Sequence, residues 1–230
     1  MIVGNGQIAS VFLNSKIKEN SLIFASGVSD SSCELYSEFN REETLLRDCL
    51  NLDLDKKFIY FSSCALSSND YSMNDYYRHK LRMEELIYES GREYLIVRIP
   101  QLFGRIKSHP TLINFLFNAI NSSEEITVYE GAYRYLIYLE DLRFIVEDIF
   151  IEVNDRDIVD ISNPYLYSVS EIVNTLEGVI KKTAVIRRKE VYDVYDVNFS
   201  RMISLLGENY QKYGFGKSYL LSKLKLAIQG

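Results

Sequence analysis

Residues 56–100 read KKFIYFSSCALSSNDYSMNDYYRHKLRMEELIYESGREYLIVRIP, and the alternation of apolar runs and periodic stretches in this segment decides the fold class. Phe58-Ile59-Tyr60-Phe61 is a short continuous apolar run closed by Ser62-Ser63, the pattern of a strand buried on both faces. Tyr76 to Glu89 follows as a helix with Leu81, Leu86 and Ile87 on one face. Tyr94-Leu95-Ile96-Val97 is the next buried strand, stopped by Pro100, whose missing N–H cannot join a ladder.

The same alternation extends outward. Upstream, Met1 to Val3 is apolar and runs into Gly4-Asn5-Gly6, after which Ile8, Ala9, Val11, Phe12 and Ile17 recur at approximately helical spacing. Leu22 to Ala25 is a further strand candidate closing on Ser26-Gly27, and Phe39 to Leu52 carries an apolar stripe at Leu45, Leu46, Cys49 and Leu50. Downstream the pattern predicts a helix over Leu112 to Ile120, a short strand over Ile126 to Val128 and a helix over Leu142 to Ile151. A further apolar stretch covers Asp157 to Ile161, and Ser168-Val169-Ser170-Glu171 reads as a capping box. Alternating strands and helices predict an α/β protein with a mostly parallel sheet and helices on both faces.

Composition narrows the function. The chain has 230 residues with 26 Lys+Arg against 32 Asp+Glu, a net charge of −6, which argues against a nucleic-acid partner because that affinity comes from clustered cations. With 47% hydrophobic and 25% charged residues it is an ordinary folded protein, of a length for one large domain or two small ones sharing a core. No stretch approaches the roughly 18 apolar residues that cross a bilayer, and MIVGNGQIAS lacks the basic and apolar regions of a secretion signal, so no membrane is expected and the expected location is the cytoplasm. Cys33, Cys49 and Cys64 form no CxxC pair, which suits a reducing compartment. The histidines are His79 and His109, neither near a Cys, so no metal site is expected.

Two segments carry chemistry. Gly4-Asn5-Gly6-Gln7-Ile8-Ala9, between a strand and a helix, is the context in which glycines let backbone approach a pyrophosphate; a plain glycine turn accounts for it as well. An acid about 20 residues on, at the end of the next strand, would hold a ribose. Here Phe24 stands there, with Glu19 before and Asp30 beyond the strand. Tyr76 and Lys80 lie four apart on one helix face, and an ammonium beside a phenol favours the phenolate, an acid/base pair for neutral pH. A hydroxyl from Ser63, or alternatively Ser62, would meet them at the strand's C-terminal end. His79 reads as a solvent-facing helix residue and Cys64 as a small buried hydrophobe. Lys181-Lys182 and Arg187-Arg188-Lys189 read as a solvated face.

The order of these pieces resembles the extended short-chain dehydrogenase/reductase family, the nucleotide-sugar epimerases, dehydratases and reductases. Leu22-Ile23-Phe24-Ala25-Ser26-Gly27-Val28-Ser29 is similar to the family's fourth strand, Asn40-Arg41-Glu42-Glu43-Thr44 to its N-x-x-x-T helix, and Phe58 to Ala65 to the strand bearing the catalytic Ser/Thr. Tyr76 to Glu84 matches Y-x-x-x-K-x-x-x-E. Arg98-Ile99-Pro100-Gln101-Leu102-Phe103-Gly104 is similar to R-x-P-N-V-Y-G, and Tyr133 to Leu142 to R-D-F-I-Y-V-x-D-L, whose Arg holds a substrate phosphate.

The resemblance implies a Rossmann-like parallel sheet with a reduced strand number over residues 1–104 and a small C-terminal α/β substrate-binding region, 105–230, interleaved with it. It implies Ser63, Tyr76 and Lys80 as catalytic residues, with Lys80 lowering the Tyr76 pKa and holding the nicotinamide ribose. Gly4, Gly6, Gln7, Ile8, Ala25, Ser26, Lys80 and Ile99 would face NAD or NADP; Ser63, Gln101 and Arg134 would face a nucleotide-sugar substrate. The implied activity is an NAD(P)-dependent epimerase or reductase. The departures lie at the cofactor end: the family's second and third strands are missing, Val3 and Ala9 stand where glycines are usual, Gln101 replaces Asn and Tyr135 replaces Asp. Loss of a charged ribose partner is worth about 1.5–3 kcal/mol, roughly tenfold to a hundredfold in affinity, so weakened cofactor binding is expected. The alternative expectation is a catalytically impaired relative that binds a sugar nucleotide or serves a partner subunit, and a strand left at the sheet edge would suit a homodimer.

Overall fold

A computed structural model describes residues 1–69, 71–104 and 111–229; His109 lies outside them. In chain order the elements are β1 (Ile2–Val3), α1 (Gln7–Phe12), β2 (Ser21–Phe24), α2 (Tyr36–Leu50), β3 (Lys57–Ser63), α3 (Asp75–Glu89), β4 (Tyr94–Ile99) and β5 (Gln101–Phe103). They continue as α4 (Leu112–Ser122), β6 (Glu125–Tyr138), α5 (Leu139–Ile149), β7 (Arg156–Asp160), β8 (Asn163–Ser168), α6 (Val169–Ile180), β9 (Val185–Asp193), α7 (Ser200–Leu206) and α8 (Tyr219–Gln229). Short 3-10 turns occupy Cys64–Ser67 and Gly207–Tyr213.

The chain forms two compact units. The first comprises Met1–Ile99, Arg143–Ile161 and Asp196–Gly207; the second comprises Pro100–Leu142, Ser162–Tyr195 and Glu208–Gly230. In the first, five strands run parallel in the order β1-β2-β3-β4-β7. Alternate residues of a strand face opposite sides. Leu22, Phe24, Phe58, Tyr60, Tyr94 and Ile96 therefore pack as one layer against Leu46 of α2 and Met83 and Ile87 of α3. On the other side the Phe61 ring meets Phe12 of α1 at 5.5 Å. β1 is an edge strand: among the described residues it pairs with β2 alone, so no strand stands where the family's second and third would.

In the second unit, β5 pairs parallel and β8 antiparallel with β6, and β9 runs parallel to the first half of β6. β6 has fourteen residues, far more than the short strand expected at Ile126 to Val128. The polar interruption at Glu130-Gly131 hides its continuation, and a register shift between Tyr129 and Gly131 carries the strand through. β9 is mostly exposed, with Arg187, Arg188 and Lys189 facing water as expected, and for that reason shows no apolar alternation to read. The capping box is present: Ser168 Oγ accepts from Glu171 N, and the Glu171 carboxylate accepts from Ser168 N.

Gly4 has φ +125°, and a Cβ there would overlap the Ala25 carbonyl oxygen. Gly4→Ala is therefore expected to cost about 2 kcal/mol or more, read as a lowered urea midpoint at unchanged slope.

Candidate active site

The centre of the first unit is a charge. Glu42, on α2, is fully buried. Its carboxylate accepts from Val28 N at 2.6 Å, Tyr60 Oη at 2.6 Å and Lys80 Nζ at 3.0 Å, with His79 Nε2 at 3.0 Å. Burial works to raise its pKa, but Lys80, His79, Tyr60 and the Val28 amide together hold it down at about 2. His79 is thus not a solvent-facing residue. It is buried, stacked on Phe39 with ring centres 4.6 Å apart, because Glu42 offers an acceptor beneath it.

Tyr76 and Lys80 share one face of α3, as their spacing requires, but the pair is not the activated one expected from sequence. Lys80 is 2% exposed and its ammonium bonds Glu42 Oε1 and, at 3.1 Å, Tyr60 Oη. Its Nζ lies 5.7 Å from the Tyr76 ring centre. The Tyr76 pKa is raised, not lowered: burial dominates, and the nearby Glu42 charge adds to it. The Tyr76 hydroxyl makes no hydrogen bond among the described residues.

The two candidate hydroxyls face opposite ways. Ser62 follows Tyr60 by two and pairs in register with Arg98, which reaches α3, so Ser62 shares the α2/α3 side of the sheet. Its Oγ is buried with no partner among the described residues. Ser63 lies on the Phe61 side, half-buried, its Oγ accepting weakly from Ala65 N at 3.4 Å at the start of the 3-10 turn. Cys64, fully buried, is close enough to raise the Tyr76 pKa.

Two residues of the quoted motifs are explained by each other. Arg98 Nε and Nη2 donate to both oxygens of Glu84 at 3.0 and 2.6 Å, a bidentate pair joining β4 to α3. Arg98 Nη1 also donates to Ser67 Oγ at 3.0 Å, and Ser67 Oγ donates to the Asp160 carboxylate at 2.7 Å. Burial raises the Asp160 pKa to about 6, against the opposing effects of Ser67 and Arg98.

At the glycine turn, Gly4 is required by its approach to Ala25, whereas Gly6 has open space around it. Gln7 Oε1 is buried without a partner among the described residues. Ala25 N donates to Val3 O, Ser26 accepts from Arg41 through its carbonyl and hydroxyl, and Ile8 and Ile99 are half-buried. In the second unit Gln101 pairs in register with Leu136. The Arg134 guanidinium there is engaged by the Asp193 carboxylate and by the Tyr133 carbonyl at 2.7 Å. No group of His, Cys, Asp and Glu suited to a metal ion occurs among the described residues, and no helix among them is long and apolar enough to cross a membrane.

No family model matches the chain, nor does any curated protein. Solved structures do. UDP-glucuronic acid 4-epimerase from Bacillus cereus, in complex with UDP-glucuronic acid and NAD, superposes with a TM-score of 0.69 at 16% identity, over 95% of this chain and 80% of that one. The fold is that of the extended short-chain dehydrogenases/reductases. UDP-glucose 4-epimerase from Thermus thermophilus with NAD matches at 0.70 and 10% identity, over 98% of this chain and 82% of that one. dTDP-glucose 4,6-dehydratase from Bacillus anthracis with NAD matches at 0.66 and 12%, over 99% and 79%.

Within this dehydrogenase/reductase fold, the residues that sequence reasoning missed are Glu42, Tyr60 and Asp160. A signal for Glu42 was present: it lies four before Leu46 and seven before Cys49, inside the apolar stripe of α2. An acid there is either buried or misplaced.

Asp160 also yields a pH signature. Its folded pKa is raised, so its contribution is most favourable below the ordinary value near 3.8 and is lost as pH rises to about 6. Asp160→Asn removes that loss. The variant is expected to gain stability relative to the parent between pH 4 and pH 7, by about 2 kcal/mol, measured by urea unfolding at each pH.

Proposed function

We propose that this protein is an NAD(P)-dependent epimerase or reductase acting on a nucleotide-linked sugar, with Tyr76 moving a proton at a sugar oxygen. The observation that carries the reading is the Ser62 hydroxyl: buried, without a partner, and on the same side of the sheet as Tyr76 and Lys80, at the C-terminal end of β3. Strand C-termini line the ligand crevice in parallel sheets. An orphan buried hydroxyl costs about 1–3 kcal/mol, a cost that a ligand oxygen would offset.

In this reading Tyr76 exchanges a proton with a hydroxyl or carbonyl of the sugar, and Ser62 donates to the same oxygen; Ser63, the choice suggested by alignment, faces the other side. The nicotinamide supplies the hydride acceptor or donor when bound. The chain's fit to it rests on Gly4, Gly6, Gln7, Ile8, Ala25, Ser26 and Ile99, with the open space at Gly6 and the unsatisfied Gln7 Oε1 as support. Lys80 fits a ribose poorly while Glu42 and Tyr60 hold it. Gln101 and Arg134 are the proposed substrate contacts of the second unit, Arg134 by exchanging Asp193 for a phosphate. The similar structures contain UDP-glucuronic acid and NAD, which supports a uridine- or thymidine-type sugar nucleotide as ligand. The cytoplasm and a homodimer completed along β1 are part of the same proposal.

A second reading, a binding protein without turnover on the same scaffold, is favoured by the engaged Lys80 and by the bare outer edge of β1.

Calorimetric titration of NAD+, NADH and NADPH, alone and with UDP-sugars, separates the two. Binding of a nicotinamide nucleotide together with sugar interconversion is the expected result; no nicotinamide binding at millimolar concentration refutes the enzyme. Tyr76→Phe is expected to lower turnover about 10²–10⁴-fold with sugar-nucleotide binding retained. Ser62→Ala should lower turnover more than Ser63→Ala while leaving stability unchanged or slightly raised.

A further inference from the structure

An ammonium has three N–H donors. Those of Lys80 face Glu42 Oε1 at 3.0 Å, Glu42 Oε2 at 3.4 Å and Tyr60 Oη at 3.1 Å, which leaves none for Tyr76 or for a ligand. The pair is also roofed. A Cβ on Gly27 would come within 2.6 Å of Lys80 Nζ and 2.9 Å of Glu42 Oε1, so only glycine lets the loop after β2 lie on it. The same loop is pinned from below, since Val28 N donates to Glu42 Oε2 at 2.6 Å. Tyr60 completes the arrangement by donating to Glu42 while accepting from Lys80.

We propose that Glu42 is a positioning residue that holds the Lys80 ammonium away from the Tyr76 hydroxyl and so keeps Tyr76 in its proton-bearing form. The groups that face Tyr76 agree in sign. Glu42 from α2, Asp30 from the loop after β2 and Cys64 from the turn after β3 all oppose a phenolate. Tyr60 on β3 is a neutral neighbour, and Lys80 on α3 is the one cation, already matched by Glu42. Tyr76 then enters a reaction as a proton donor, not as a standing base. This deepens the reading that Tyr76 is the proton-transfer group, and rests on it for its bearing on catalysis.

The test titrates Tyr76 itself and needs no turnover. Tyrosinate absorbance against pH is recorded for the parent and for Glu42→Gln, each with and without Tyr76→Phe, so that the difference isolates one phenol among 18. With the carboxylate gone, the Lys80 charge is uncompensated beside Tyr76, and its midpoint is expected to fall by about one pH unit or more, a tenfold rise in phenolate. Tyr60→Phe keeps the ion pair but frees one ammonium donor; a smaller fall in the same direction is expected, and it serves where Glu42→Gln does not fold. A Tyr76 midpoint unchanged in whichever of the two variants folds overturns the proposal. A fall in the midpoint in a protein that shows no turnover of any nucleotide sugar with NAD(P) upholds the positioning role and refutes the enzyme reading, so the two failures are told apart.

Discussion

The first unit is organised around one buried carboxylate. Moving an unpaired carboxylate out of water costs several kcal/mol even after relaxation, and burial of this kind persists only where the partners are supplied together. Glu42 draws its donors from a loop, a strand and a helix: Val28, Tyr60, and His79 with Lys80. Each donor also fixes the element that carries it. α2, β3 and α3 are thereby held in one relative placement, and the C-terminal end of β3 acquires its surroundings from that placement. Gly27 follows as a requirement of the same carboxylate, because the loop must lie against an occupied space.

How much of this was legible depends on whether a residue's role is set by its own element or by another. Strands buried on both faces, such as β2, β3 and β4, stand out as apolar runs, and Ser168 with Glu171 marks a helix start because both partners lie within one turn. β6 was cut short by a polar interruption that a register shift absorbs, and β9 is too exposed to carry a pattern. His79 reads as a surface residue on α3 alone, since the acid that buries it sits on α2. Parity along β3 was available in the sequence. Counting by two from Tyr60 reaches Ser62, whereas motif alignment pointed to Ser63.

The motif residues divide between chemistry and scaffolding. The acid and arginine of the Y-x-x-x-K-x-x-x-E and R-x-P segments bind each other, with Glu84 and Arg98 locking α3 onto β4. The glycine turn has a steric reason at Gly4 and none at Gly6. Arg134 is satisfied by Asp193 within its own unit. Agreement with a family pattern is thus only partly evidence of a shared reaction. The residues with unmet hydrogen-bonding capacity, Ser62 and Gln7, point to a ligand more directly than those already paired.

The first unit is assembled from three separated stretches, the last of which, Asp196–Gly207, contributes α7, tied to β7 by Arg201 and Asp157 at 2.6 Å. A nascent chain therefore cannot close this sheet when residue 99 leaves the ribosome. The strands before it must wait for β7 and α7, and their apolar faces stay uncovered through most of translation. Dissection into two fragments at any single cut would leave each half with part of its core encoded on the other piece.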